Sequence, residues 1–278
     1  NGRNFEYAGE DPGLAGTMVG NLEKGVLGQK VMSDIKHYAF NDQETGRSVV
    51  NVLLDKKAMR ESDLLAFQVA IGIAHPSGVM YSYNLVNGDH ACENDYLLNQ
   101  VLKKDFGFKG FVLSDWEGTH STVKAALSGL DQDMPGDDDY FGAPLKKAVE
   151  DGQVPMSRLD DMNHRILRSM FAAGVIDDPP VRTVVNPFTG REAAQKIAEE
   201  SIVLLRNEDH ILPLKPGGDS SIAIIGSHAD VGVLSGGGSA QVDAPGGTAA
   251  DPQPGGSKWG VPVYFPSSPL KYIRKKSP

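Results

Sequence analysis

At residues 110–118 the chain reads GFVLSDWEG. The apolar run Phe111-Val112-Leu113 has the character of a strand buried on both faces, and it stops at Ser114, Asp115 and Trp116. Burying a strand requires no such ending. A carboxylate at the carboxyl end of a parallel strand is where barrel-type α/β enzymes keep reacting groups, and an indole offers a flat apolar face to a ring. Asp is equally a favoured helix N-cap, so the local pattern leaves both readings open. Other charged residues stand where they could join Asp115. Arg3 and Glu6 lie in a Gly-rich opening loop, either as a solvated surface pair or as a substrate clamp. Lys36 and His37 interrupt an apolar stretch, where a buried lysine is costly without a partner and an exposed strand end is the alternative. Alternation along a strand would send the two to opposite faces.

The elements that must position these residues follow in a regular order. Asp11-Pro12-Gly13 leads into a helix through Val19 and Leu22. Then come a strand within 31–40, a polar stretch at 41–47, a helix over 61–74 and a strand over 78–83 ending in Tyr83-Asn84. A polar loop at 86–90, a helix over 94–106 and the strand at 111–113 complete the series. Three strands separated by helices long enough to cross over predict an α/β fold with a parallel sheet. A helix over 121–130, a short strand near 129–136 and helices around 145–149 and 156–171 come next, the last with Ile166, Leu167, Met170 and Phe171 as its buried stripe. Prolines at 179, 180 and 187 mark a linker, which divides the chain into 1–176, a connection at 177–190, and 191–278. Beyond it we expect a helix over 191–200, an apolar continuation at 202–205 and a fully buried strand over 221–226. The loop at Gly236-Gly237-Gly238-Ser239 lacks the spacing of a phosphate-binding fingerprint. Residues 243–269 are irregular, which suggests missing context, and order resumes near 270–273.

Composition narrows the partners. A formal net charge of -9 argues against nucleic acid, since phosphate binding needs clustered cations and the only such run is Arg274-Lys275-Lys276. A neutral small molecule fits better. Cys92 is the only cysteine, so an intrachain disulfide, a thiolate zinc cage and a CxxC redox pair are all excluded. No run is long enough to span a bilayer, and no motif calls for a metal or organic cofactor. The chain begins with Asn1, and its opening lacks the regions of a signal peptide; the expectation is a fragment or a processed chain.

Read together, six stretches in order resemble glycoside hydrolase family 3: GRNFE at 2–6, KHY at 36–38, Arg47, MYSYN at 80–84, LSDW at 113–116, and SIVLLRN followed by LPL at 212–214. The resemblance implies a partial (β/α)8 TIM-type barrel followed by the beginning of an α/β/α sandwich domain. It implies a retaining exo-β-glycosidase acting on β-linked glucosides or short oligosaccharides, most simply a β-glucosidase. Asp115 would be the nucleophile that forms a covalent glycosyl-enzyme. Arg3, Lys36, His37 and Arg47 would hold sugar hydroxyls or neighbouring carboxylates, and their charge would keep Asp115 ionised. Tyr83 would sit beside the nucleophile and Trp116 against the sugar. Glu6 and Glu44 would support the cations.

The family's acid/base in β-glucosidases lies in the sandwich domain, beyond any position that aligns here, and its barrel begins upstream of the arginine motif. The expectation is therefore an internal fragment that is inactive and folds poorly alone. The N-acetylglucosaminidase branch carries a PGHG-like stretch after its Lys-His pair, where this chain has Tyr38-Ala39-Phe40-Asn41-Asp42. A β-xylosidase and a catalytically dead carbohydrate-binding protein are the alternatives. Relatives that degrade polymers are commonly exported, which points to periplasm or medium.

Overall fold

Asp11 begins helix α1 (Pro12–Leu27) as its type dictates: its carboxylate accepts from Leu14 N at 2.7 Å, and Pro12 occupies a position that needs no amide hydrogen. This is a computed structural model, and it describes residues 2–136, 140–186, 188–214, 221–230 and 268–276, with the backbone of 232–233 and 264–265. It divides into two units, Asn1–Val181 and Arg182–Pro278.

The first unit is an α/β fold. Strand β1 (Asp34–Tyr38), the two-residue β2 (Asn51–Val52), helices α2 (Lys56–Glu61) and α3 (Asp63–Ala74) and strand β3 (Gly78–Tyr81) come in turn. They are followed by β4 (Leu85–Val86), β5 (Asp89–His90), a π-helix (Tyr96–Asp105), β6 (Phe111–Leu113) and helices α4 (Val123–Ser128), α5 (Ala143–Glu150) and α6 (Met156–Ala172). The main sheet runs β1-β3-β6, all parallel, with one further parallel bridge from Leu113 to Gln132. Val79 and Val112 are fully buried in its middle. Helices α1 and α3 approach closely where α1 has glycines one turn apart: a Cβ on Gly16 would lie 2.5 Å from Ala66 O, and one on Gly20 would lie 2.9 Å from Ile73 Cβ.

Four expectations are corrected. The helix predicted over 61–74 is two helices that break at Ser62, because Asp63 opens the second and its carboxylate is used elsewhere, accepting from Phe40 N at 3.0 Å. The polar loop at 86–90 contains a β4–β5 hairpin turned at Asn87-Gly88, with Gly88 at φ +97°, and β2 pairs parallel to β4. The stripe of α6 is Met162 and Ser169, while Leu167 and Phe171 are about half exposed. Ser169 Oγ donates to Ser77 O and Arg165 to the Phe108 and Gly110 carbonyls, so hydrogen bonds to β6's approach set the helix's rotation. The segment at 221–226 is neither strand nor buried. It has no ladder partner among the described residues, and without one an apolar run does not make a strand.

The second unit contains α7 (Arg191–Glu200), an antiparallel pair β7 (Gly232–Val233) with β8 (Tyr264–Phe265), and α8 (Pro269–Lys276). Residues 202–205 are exposed and irregular rather than a continuation of α7. Among the unit's described residues only Ser268 is buried. The loop at 236–239 and most of 243–269 lie outside the described residues.

Candidate active site

The carboxyl ends of β1, β3 and β6 bring three groups together. His37 comes from β1, Tyr83 from the loop after β3, and Asp115 from the loop after β6. The loop after β1 is tied across to β3: Ser82 N donates to Tyr38 O at 3.1 Å, and Ser82 Oγ and Asn84 Nδ2 donate to Ala39 O at 3.0 and 3.3 Å. The loop after β6 rests on a buried polar frame. Ser114 Oγ accepts from Met134 N at 2.6 Å, Thr119 Oγ1 donates to Asp133 Oδ1 at 2.6 Å, and the buried Cys92 Sγ donates to Gly118 O at 2.9 Å.

Asp115 receives three donors. Its Oδ2 lies 3.1 Å from His37 Nε2, its Oδ1 accepts from Trp116 N at 2.7 Å, and the Tyr83 hydroxyl bonds the same carboxylate. Burial pushes the Asp115 carboxyl upward, but the His37 bond and charge, with the Tyr83 and Trp116 donors, outweigh it and hold the group below the usual carboxylate range. Its side chain keeps 15% exposure, against 3% for His37. An ionised oxygen open to solvent is a usable nucleophile. The helix-cap alternative does not hold: α4 begins only at Val123, and the amide that Asp115 accepts from is its neighbour's.

Arg3 is buried, which corrects the solvated-pair reading. Its guanidinium ion-pairs with Glu6 and, at 2.8 Å, with Glu44 Oε1. Glu44 Oε2 takes Arg47 at 3.4 Å, and the Arg47 guanidinium lies 4.8 Å from the Tyr83 ring centroid. The four charged groups form a ladder from the opening turn to Tyr83. Lys36 is exposed, so burial costs it nothing, and with His37 it lines a cavity of about 420 Å³ beside the opening loop and α3. Asp115 does not line that cavity; His37 stands between. Trp116 is 49% exposed at the rim.

Two residues here escaped sequence reasoning. Tyr7 directly follows the GRNFE stretch, and its hydroxyl lies 3.0 Å from His37 Nδ1 and donates to Asn41 O at 3.2 Å. Asp34 sits two residues before Lys36 on β1; burial pushes its carboxyl up to about 7 against the pull of Lys36, and its Oδ1 has no hydrogen-bond partner. Strand alternation from Lys36 could have found Asp34. Among the described residues no group of three or more His, Cys, Asp or Glu side chains is arranged to hold a metal ion, and no helix is long and apolar enough to cross a membrane.

Comparison with known proteins meets this geometry from outside. Probable beta-glucosidase K of Emericella nidulans is 39% identical over 241 residues, covering 87% of this chain and 29% of that protein. The structure of beta-glucosidase 3B from Thermotoga neapolitana in complex with alpha-D-glucose superposes with a TM-score of 0.72 at 34% identity, over 77% of this chain and 31% of the other. Beta-glucosidase D2-BGL from Chaetomella raphigera gives a TM-score of 0.79 at 35% identity over 99% of this chain and 40% of its own. The chain thus spans under a third of the length of the curated relative. Residues 1–169 match the glycosyl hydrolase family 3 N terminal domain and residues 202–278 the glycosyl hydrolase family 3 C-terminal domain. With both matches in that order along one sequence, the chain belongs to glycosyl hydrolase family 3.

Proposed function

We propose that the chain carries the nucleophile and sugar-holding groups of a retaining exo-β-glycosidase, a β-glucosidase that removes terminal non-reducing β-D-glucosyl residues. The observation that carries this reading is Asp115, held ionised by three donors yet open to solvent at the end of β6. An Asp115 oxygen attacks the anomeric carbon as the bond to the leaving oxygen breaks, giving a glycosyl ester that water then hydrolyses. Lys36, His37, Arg3 and Arg47 supply donors for hydroxyls, with Glu6 and Glu44 holding the arginines in place. Trp116 offers its half-exposed indole to the sugar face. Relatives named β-glucosidases, one of them in complex with glucose, favour glucosides over xylosides.

In the same reading, residues 1–176 are part of a (β/α)8 barrel, 177–190 a connection, and 191–278 the start of an α/β/α sandwich, in a protein that is exported. The three parallel strands ending at one site support the barrel. We assign no acid/base, and unactivated glucosides are then not turned over by this chain alone.

Covalent capture separates nucleophile from acid. An aryl 2-deoxy-2-fluoro-β-D-glucoside with a good leaving group needs no proton donor to depart. Incubation with the chain is expected to add one 2-fluoroglucosyl unit to the peptide containing Asp115, read by mass spectrometry, and Asp115→Asn is expected to abolish it. Labelling of another carboxylate, or labelling that survives the substitution, overturns the assignment; reversible sugar binding without labelling favours a binding protein.

A further inference from the structure

Three contacts converge on the Tyr7 hydroxyl, and proton counting decides what they mean. Its oxygen donates to the Asn41 carbonyl at 3.2 Å and lies 3.0 Å from His37 Nδ1, while Arg3 hydrogen-bonds to it from the opening turn. A phenol has one proton, a carbonyl only accepts and a guanidinium only donates. The proton between Tyr7 and Asn41 must be the phenol's. The Tyr7 oxygen is then an acceptor toward His37, and Nδ1 must carry a hydrogen. At the other side of the ring, Nε2 faces Asp115 Oδ2 at 3.1 Å, and an ionised carboxylate accepts only, so Nε2 also carries a hydrogen. A neutral imidazole has one such hydrogen, and this ring is asked for two.

We propose that Tyr7 is a positioning residue which, by accepting from Nδ1, holds His37 as a doubly protonated imidazolium against Asp115. The inference rests on the reading of Asp115 as the reacting group. The surroundings permit the charge. Asp115 is the anion in contact with the ring; Arg3, the nearest fixed cation, is matched by Glu6 and Glu44; Asp42 adds negative potential at Tyr7; and Lys36, the adjoining residue, is exposed. Tyr83 bonds the same carboxylate without competing for the ring. Burial raises the Tyr7 phenol far above neutrality, so it stays protonated and keeps facing Asn41. The Tyr7 and His37 rings meet edge to face at a 6.0 Å centroid separation, which fixes the hydroxyl's aim. The outcome is a charge-assisted bond to Asp115, stronger than one from a neutral ring.

The test uses the whole chain with 15N-labelled histidine. At neutral pH both His37 ring nitrogens are expected to show shifts of protonated nitrogen, and in Tyr7→Phe, which keeps the ring and removes only the acceptor, Nδ1 is expected to show as unprotonated. Capture of the 2-fluoroglucoside by Y7F is expected to slow about tenfold on the acidic side of its pH profile, the size of one pKa unit on Asp115. An unprotonated Nδ1 in the unaltered chain overturns the proposal whether or not the variant folds, and so do ring shifts that the substitution leaves unmoved. Absence of capture by the unaltered chain counts against the Asp115 reading instead, because the ring shifts do not depend on it.

Discussion

Asp115 and Asp131 serve the same short strand, and each takes three kinds of donor. Asp131 accepts from Val112 N at 2.8 Å in the middle of β6, from Lys103 Nζ at 2.8 Å and from Arg158 at 2.6 Å, and its side chain is fully buried. Asp115, just past the end of β6, takes a histidine, a phenol and a backbone amide at a partly open rim. The number of donors does not distinguish them; the kind of donor and the access do. Two permanent cations in a sealed space spend the whole charge of Asp131 on tying β6 to the π-helix and α6. Softer donors at an opening leave Asp115 ionised with an oxygen to give. Even the sealed cluster is strained electrostatically: burial brings Lys103 down to about 8 in spite of Asp131 beside it.

The contrast breaks most visibly on stability. Asp131→Asn leaves Lys103 and Arg158 without their shared anion, and we expect a loss of about 3–5 kcal/mol in urea unfolding. Asp115→Asn is expected to lose far less while abolishing capture. Equal losses would erase the distinction between a structural and a reacting carboxylate. Next in size is Tyr83→Phe, which removes one donor to a charged group worth about 1.5–3 kcal/mol. Capture should slow by roughly ten- to a hundredfold with little change in unfolding; an unchanged rate would remove Tyr83 from the site.

The smallest effect is a pH dependence. Burial raises Asp34 to about 7 in the fold, so through the window between the unfolded carboxylate value of about 4 and this folded value the native state holds a proton that the unfolded chain has released. Stability from this group is therefore present at low pH and is lost as pH rises through about 7. Asp63, raised to about 6 by burial, acts in the same sense, so the comparison must be made against Asp34→Asn. The variant should match the parent's melting temperature at acid pH and exceed it above neutrality. A gap that does not vary with pH would mean that Asp34 is not the titrating group.

Much of this was legible before any coordinates. The parallel order of β1, β3 and β6 followed from strand and helix periods, and Asp11 read correctly as the start of α1 because capping is a local interaction. The residues grouped around Asp115 were legible through their motifs, since each sits at the end of a strand. What escaped depends on distant partners. The break at Ser62 exists because Asp63 reaches back to Phe40, 23 residues earlier. The apolar side of α6 announces that something should cover it without saying what, and hydrogen bonds from Arg165 and Ser169 decide the helix's rotation instead. The Ile222–Ile225 run has apolar residues but no strand to pair with among the described residues. Tyr7 has no signature of its own: a tyrosine in a loop gains meaning only once His37 is found 3.0 Å away.

The buried Cys92 thiol, bonded to the Gly118 carbonyl, tethers the loop that carries Asp115 and Trp116. Burial pushes this thiol up to about 12, and the thiolate is the form that oxidants and disulfides attack. The only sulfhydryl in the sequence is thus redox-silent. Peroxide or disulfide exchange in the surroundings finds no handle on this anchor, and the loop keeps its place in reducing and oxidising compartments alike.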